Sequence, residues 1–118
     1  MKNLEQIRAK NALEAAENDF YKFSGPGGGD IVKKVPTMIM ENGLLAAMAF
    51  AVEDKNKSGY VDVFKACLEH LKDVKDVKEV KEVKEYLSDL TTKDSSELRA
   101  VTSEIMAYLN YLRRFAKK

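Results

Sequence analysis

Apolar side chains gather most densely in Val35–Val52, VPTMIMENGLLAAMAFAV, where Thr37, Glu41 and Asn42 are the only obviously polar residues. At about 100° per residue, Leu44, Leu45, Ala47, Met48, Phe50, Ala51 and Val52 spread round the whole cylinder, the pattern of a helix enclosed by others. This stretch is the expected core, and Asn42-Gly43 is expected to break it into two helices. Upstream, Asn3 and Gln6 have capping-box spacing and predict a helix running to about Phe23. Its core stripe is expected at Ala9, Leu13, Ala16, Phe20 and Phe23. Leu4, Ile7 and Arg8 fall on another side, where the first turn either caps the bundle or meets a partner. Residues 24–29, SGPGGG, predict a glycine-rich loop. Asp30 then caps a short turn over Ile31–Lys34, and Pro36 bends the chain or opens the next helix.

Downstream of a loop at Asn56–Gly59, the residues Tyr60, Val61, Phe64, Cys67, Leu68 and Leu71 recur at helical spacing, with His70 off the stripe. Residues 72–85, KDVKDVKEVKEVKE, form a low-complexity charged tract whose valines at 74, 77, 80 and 83 repeat every three positions. On a helix each such step falls back by about 60°, so the valines smear into no seam and like charges stack at i,i+3. The tract reads as a solvated spacer, with a short helix around Val83–Leu90. Asp94 and Glu97 form a second capping box. The helix they open carries Leu98, Val101, Ile105, Tyr108, Leu109, Leu112, Phe115 and Ala116 within a stripe about 120° wide. No segment alternates long enough to read as a strand. The pattern predicts an all-α bundle of about five to six helices around a buried central helix.

Composition narrows this further. A chain of 118 residues suits one core, so a single helical domain over 1–118 is expected. With 20 basic and 19 acidic residues the net charge is +1, which leaves only local attraction for nucleic acid. The unbroken apolar run Gly43–Val52 is too short for a bilayer, which needs about 20 such residues, so no membrane span is expected. The charged N-terminal stretch lacks the apolar region of a secretory signal, and Cys67 has no partner for an internal disulfide; both fit a cytoplasmic protein.

Catalytic chemistry finds little footing. His70 has no second His or Cys at ligand spacing, so no metal site is expected. The glycine-rich loop lacks the Lys-Ser or Lys-Thr of a phosphate-binding loop and follows a helix rather than a strand. There is no nucleophile elbow, and the acidic pair Glu53-Asp54 reads as a solvated helix end. Neither an enzyme nor a cofactor is expected. The basic residues say more. Arg99, Arg113 and Lys117 lie at related angles beside the apolar stripe of the last helix, with Asn110 nearby, and Arg113, Arg114, Lys117 and Lys118 follow the last acid, Glu104. This edge suits phosphate, which the arginine fork can grip with two bonds. It equally suits a helix C-terminus, where cations are favourable without any ligand.

Three islands bear on that choice: Arg8-Ala9-Lys10 with Ala12; Lys33–Leu45, KKVPTMIMENGLL, running into Ala49-Phe50; and Leu98–Thr102, LRAVT, with Arg113–Ala116. In order and spacing they resemble the small subunit of the type III-B (Cmr-type) CRISPR effector complex. The segment from Pro36 to Leu45 is the most distinctive, and residues 72–85 depart from the family. The resemblance implies an all-α subunit without a catalytic role. It would stack beside the backbone subunits that bear the guide RNA and help hold guide RNA and target RNA. Its protein partners would be those backbone subunits, the large subunit and neighbouring copies of itself. RNA backbone contacts would fall to Arg8, Lys33, Lys34, Arg99, Arg113, Arg114 and Lys117, with Arg8 alternatively an internal salt-bridge partner. The rival reading is a helical protein-interaction adaptor whose basic edge meets an acidic protein.

Overall fold

Side-chain caps fix where the first and last helices begin. The structure is a computed structural model that describes residues 3–18, 21, 28–53, 58–74 and 82–116, and of residues 28–30 and 58 the backbone alone. Asn3 Oδ1 accepts from the Gln6 N–H at 2.8 Å while the Asn3 N–H donates to Gln6 Oε1 at 2.9 Å, the reciprocal pair that opens α1, Leu4–Ala16. At the other end of the chain Asp94 Oδ1 accepts from the Glu97 N–H at 2.8 Å and opens the long C-terminal helix, Ser95–Phe115. Between them lie α2 (Gly28–Asn42), α3 (Leu44–Val52), α4 (Ser58–Val74) and α5 (Val83–Leu90), which makes the C-terminal helix α6. The fold is an all-α bundle, with six helices and no strand among the described residues.

Two backbone positions differ from expectation. Helix α2 begins at Gly28 and runs through Pro36, so the last two glycines of the 24–29 run are helical and Pro36 lies inside a helix. A proline there forfeits one backbone hydrogen bond to the residue four before it. The loss is offset by packing: Val32, Val35 and Ile39 are all buried on the α2 core face. Helix α1 ends at Ala16, earlier than its apolar stripe suggested. The Asn18 N–H turns back to the Ala15 carbonyl at 3.1 Å, and asparagine favours such turns over helix interiors. The expected break at Asn42-Gly43 is present. Gly43 has φ 91°, a conformation that side chains resist, and it both ends α2 and precedes α3.

The centre of the bundle is α4, which packs against every other helix. Val63, Phe64, Ala66, Cys67, Leu68 and Leu71 are buried along it, and so are Asp62 and His70. Close approach to α2 is secured at Gly59, where an added Cβ would come within 2.6 Å of the Ile31 Cδ1. Helix α3, expected to be enclosed, is not: Leu44, Ala47, Met48 and Ala51 are buried, whereas Ala46, Ala49 and Phe50 face outward. Counting apolar residues picks α3 because it lacks charge. It passes over α4 because a central helix tolerates polar groups once they are hydrogen-bonded, and among the described residues no buried side-chain nitrogen or oxygen lacks a partner. Both ends of the charged tract are helical, Lys72–Val74 closing α4 and Val83–Glu85 opening α5; residues 75–81 lie outside the described residues.

Candidate functional site

Helices α2 and α6 pack against each other and carry most of the cations singled out by the sequence. Lys33 and Lys34 are exposed on α2, and Arg99, Arg113 and Arg114 are exposed on α6. From Arg99 to Arg113 is about 21 Å along the helix axis, at 1.5 Å per residue. Arg113 Nη2 donates to Asn110 Oδ1 at 3.2 Å, a bond that leaves the rest of its fork to solvent. Among the described residues no acid pairs with Lys33, Lys34, Arg99 or Arg114. Arg113 and Arg114 occupy the last turn of α6, where positive charge also complements the helix dipole. Lys117 lies outside the described residues.

Arg8 stands apart from this group. Its guanidinium grips Glu104 with both arms, Nε to Oε2 and Nη2 to Oε1, each at 2.8 Å. The carboxylate is 7% exposed and the guanidinium side chain 24%. His70 donates from Nε2 to the same Oε2 at 2.7 Å. On the far side of the ring, the Asn11 amide nitrogen lies 2.9 Å from His70 Nδ1 and 3.1 Å from Asp73 Oδ2. Because Asp73 can only accept, this amide nitrogen is the donor, and Nδ1 must accept from its second hydrogen. The imidazole is thereby fixed as neutral with its proton on Nε2. Tyr108 stacks on it, with ring centroids 4.4 Å apart and 12° between planes. A further tie, Tyr111 Oη donating to Glu5 Oε2 at 2.9 Å, joins the first turn of α1 to α6.

The charges in this clasp tune one another. Burial pushes the His70 pKa below its ordinary 6.5, against the pull of Glu104 and with help from the Arg8 charge. Burial alone would raise Glu104, but the hydrogen bonds from Arg8 and His70 outweigh it and hold the carboxyl below 4.5. The result is an ionised Arg8–Glu104 pair and an uncharged histidine. A cleft of about 660 Å³ opens beside it between α1 and α4, with His70 and Tyr108 among its lining residues. Lys10 with Glu14 at 3.1 Å and Lys72 with Glu69 at 3.8 Å also line it. Both His70 ring nitrogens are committed within the fold, so the imidazole offers no free base to a molecule in that cleft. Among the described residues no group of three His, Cys, Asp or Glu side chains is placed to hold a metal ion, and no helix is long and apolar enough to cross a membrane.

This clasp also redraws α1. Its inner face is Arg8, Asn11, Ala12 and Ala15, while Leu13 of the expected stripe is 46% exposed; Phe20 and Phe23 lie outside the described residues. An apolar count could not select a face whose anchors are an arginine and an asparagine. One signal was present: Glu104 interrupts the apolar stripe of α6 between Val101 and Tyr108, so a charge there needed a partner.

Comparison with known proteins adds a family. A profile described as CRISPR-associated protein (Cas_Cmr5) matches residues 4–118. Among solved structures, the crystal structure of a CRISPR-associated Cmr5 family protein from Thermus thermophilus superposes with a TM-score of 0.66. The two are 22% identical over 98% of this chain and 96% of that one, a likeness of fold. No curated protein matches by sequence.

Proposed function

We propose a function from one established premise: the chain belongs to the CRISPR-associated protein family Cas_Cmr5. In this reading it is a non-catalytic structural subunit of a Cmr-type, type III-B, RNA-guided effector working in the cytoplasm. It stacks beside the backbone subunits that carry the guide RNA, contacts the large subunit and neighbouring copies of itself, and helps hold guide and target RNA. The observation that carries the reading is the extent of the family match, residues 4–118, which takes in every described helix.

The basic surface supports the RNA part. Lys33, Lys34, Arg99, Arg113 and Arg114 are exposed on two helices that pack together. In our reading they meet phosphates, and so does Lys117. Arg8 takes the structural role instead, because its fork is already filled by Glu104. With a net charge of +1 the molecule has no general affinity for polyanions, so these contacts are local and count most when neighbours supply the rest of the groove.

Replacing Arg99 and Arg113 together by alanine tests this in the assembled complex, with target-RNA affinity measured over a range of salt. The expected result is weaker binding and a log–log salt slope shallower by roughly 1 to 2, since each lost phosphate contact on single strands removes about 0.7. Unchanged affinity and slope would remove these arginines from the RNA surface.

A further inference from the structure

Asn42 is the last residue of α2, Gly43 follows it and precedes α3, and both are exposed. The Gly43 N–H donates to the Ile39 carbonyl at 2.8 Å and closes α2, while the Gly43 carbonyl accepts from the Ala47 N–H at 3.1 Å and opens α3. No atom lies within 4 Å of the place a Gly43 Cβ would occupy, so nothing crowds this backbone. Among the described residues no hydrogen bond holds the Asn42 side chain. Elsewhere asparagine is engaged: Asn3 caps α1, Asn11 binds His70 and Asp73, and Asn110 accepts from Arg113. Every asparagine other than Asn42 is also followed by a residue that carries a Cβ: Leu4, Ala12, Asp19, Lys57 and Tyr111.

The side-chain Cγ of an asparagine can close a five-membered ring with the backbone nitrogen that follows it. A side chain on the following residue crowds that approach, and glycine has none. The fold opposes the reaction at Gly43, because a nitrogen whose proton is held by the Ile39 carbonyl in a helical turn is not free to meet Cγ until that turn opens. Helix ends open readily. Their last carbonyls have few partners, and local opening costs far less than global unfolding.

We propose that Asn42-Gly43 is a spontaneous modification site, with water as its only co-reactant and the Gly43–Ile39 hydrogen bond as its latch. When the last turn of α2 opens, the Gly43 nitrogen gives up its proton and bonds to Asn42 Cγ. The bond from Cγ to Nδ2 breaks, and Nδ2 leaves as ammonia with that proton. Water then opens the cyclic imide at either carbonyl. Cleavage at Cγ leaves aspartate, and cleavage at the main-chain carbonyl leaves isoaspartate, whose backbone is longer by one methylene. Both products place a carboxylate beside Glu41 at the C-terminal end of α2, where the helix dipole disfavours it. Isoaspartate also shifts Gly43 away from Ile39, so the modification uncouples α2 from α3. The proposal does not depend on the subunit reading.

The test incubates the full chain at pH 8 in heavy-oxygen water, folded and in parallel unfolded in guanidinium chloride. Peptide mass spectrometry, with fragmentation that separates aspartate from isoaspartate, follows the products. Asn42 should convert before any other asparagine, to both products, each carrying oxygen from the water. The folded chain should react roughly ten- to a hundredfold more slowly than the unfolded one, and hydrogen exchange of the Gly43 amide should be slowed by a similar factor. Asn42→Gln, which would need a larger ring, should fold like the parent and stay intact over the same course. Converted chain, once purified, should melt below the parent. Equal rates in the two states, a folded chain slower by more than that range, aspartate without isoaspartate, another asparagine reacting first, or an unchanged melt would overturn the proposal.

Discussion

Arg8→Met keeps most of the aliphatic stem of the side chain and deletes the guanidinium that clamps Glu104. Two charge-assisted bonds of 2.8 Å disappear, and a carboxylate 7% exposed keeps only His70 as a donor. Hydrogen bonds to charged groups contribute about 1.5–3 kcal/mol each, and an orphaned buried charge costs about 3–5 kcal/mol. Arg8 itself is 24% exposed, so water can replace part of what is lost. We therefore expect a loss of about 2–3 kcal/mol, which for a domain of this size lowers Tm by roughly 10 °C. The lone histidine offers a second readout. In the native protein its pKa lies below 6.5, so on acidification the unfolded chain takes up a proton before the folded one, and stability falls as pH drops from 6.5 toward the folded value. Glu104, held below 4.5, adds a further loss as pH falls through 4.5 and on through its folded value. Without Arg8, the repulsion of an imidazolium is gone and the unpaired Glu104 draws a proton onto His70. The imidazole pKa should rise, and the fall in stability between pH 7 and 5 should shrink. Urea unfolding at several pH values and an NMR titration of the single imidazole measure both. A loss under about 1 kcal/mol together with an unmoved His70 pKa would refute the clasp.

Three other expectations follow from the same geometry. Gly43→Ala should cost about 1–2 kcal/mol, because φ is 91° while no atom lies within 4 Å of the added Cβ; a melt equal to the parent's would mean that the junction between α2 and α3 relaxes freely. Phe64→Ala, at a fully buried position on the central helix, should cost about 3–5 kcal/mol in urea unfolding, and a loss below 1 kcal/mol would deny α4 its place at the core. Burial pushes the Cys67 thiol far above its usual range, so a disulfide reagent at pH 8 should label the protein only once urea unfolds it; prompt labelling of the native state would contradict that burial.

Much of this architecture is readable from side-chain chemistry along the chain. The caps at Asn3 and Asp94, the break at Gly43, the α5 span Val83–Leu90 and the apolar stripe of α6 follow from local rules, and each is present except at Phe115, which the stripe included and which is 40% exposed. What periodicity misses is polar burial. His70 falls off the stripe of α4, and Arg8 and Asn11 fall off that of α1, yet the three meet Glu104 and Asp73 across three helices. Contacts between residues 34 and 96 positions apart leave no local trace in a single sequence. Helix α3 errs in the opposite sense. An uncharged helix reads as enclosed from its own residues, although one side of it is bare in the isolated chain. The exposed cations of α2 and α6 were legible as cations, whereas their relation to each other depends on how the two helices pack.

The measurement that bears most directly on the functional reading is native mass spectrometry of this chain mixed with the backbone and large subunits of a cognate Cmr-type effector and guide RNA, with and without target RNA. The reading requires incorporation in a defined number of copies, at masses that account for every subunit. Assembly of the other subunits into a complete particle that leaves this chain free would contradict it.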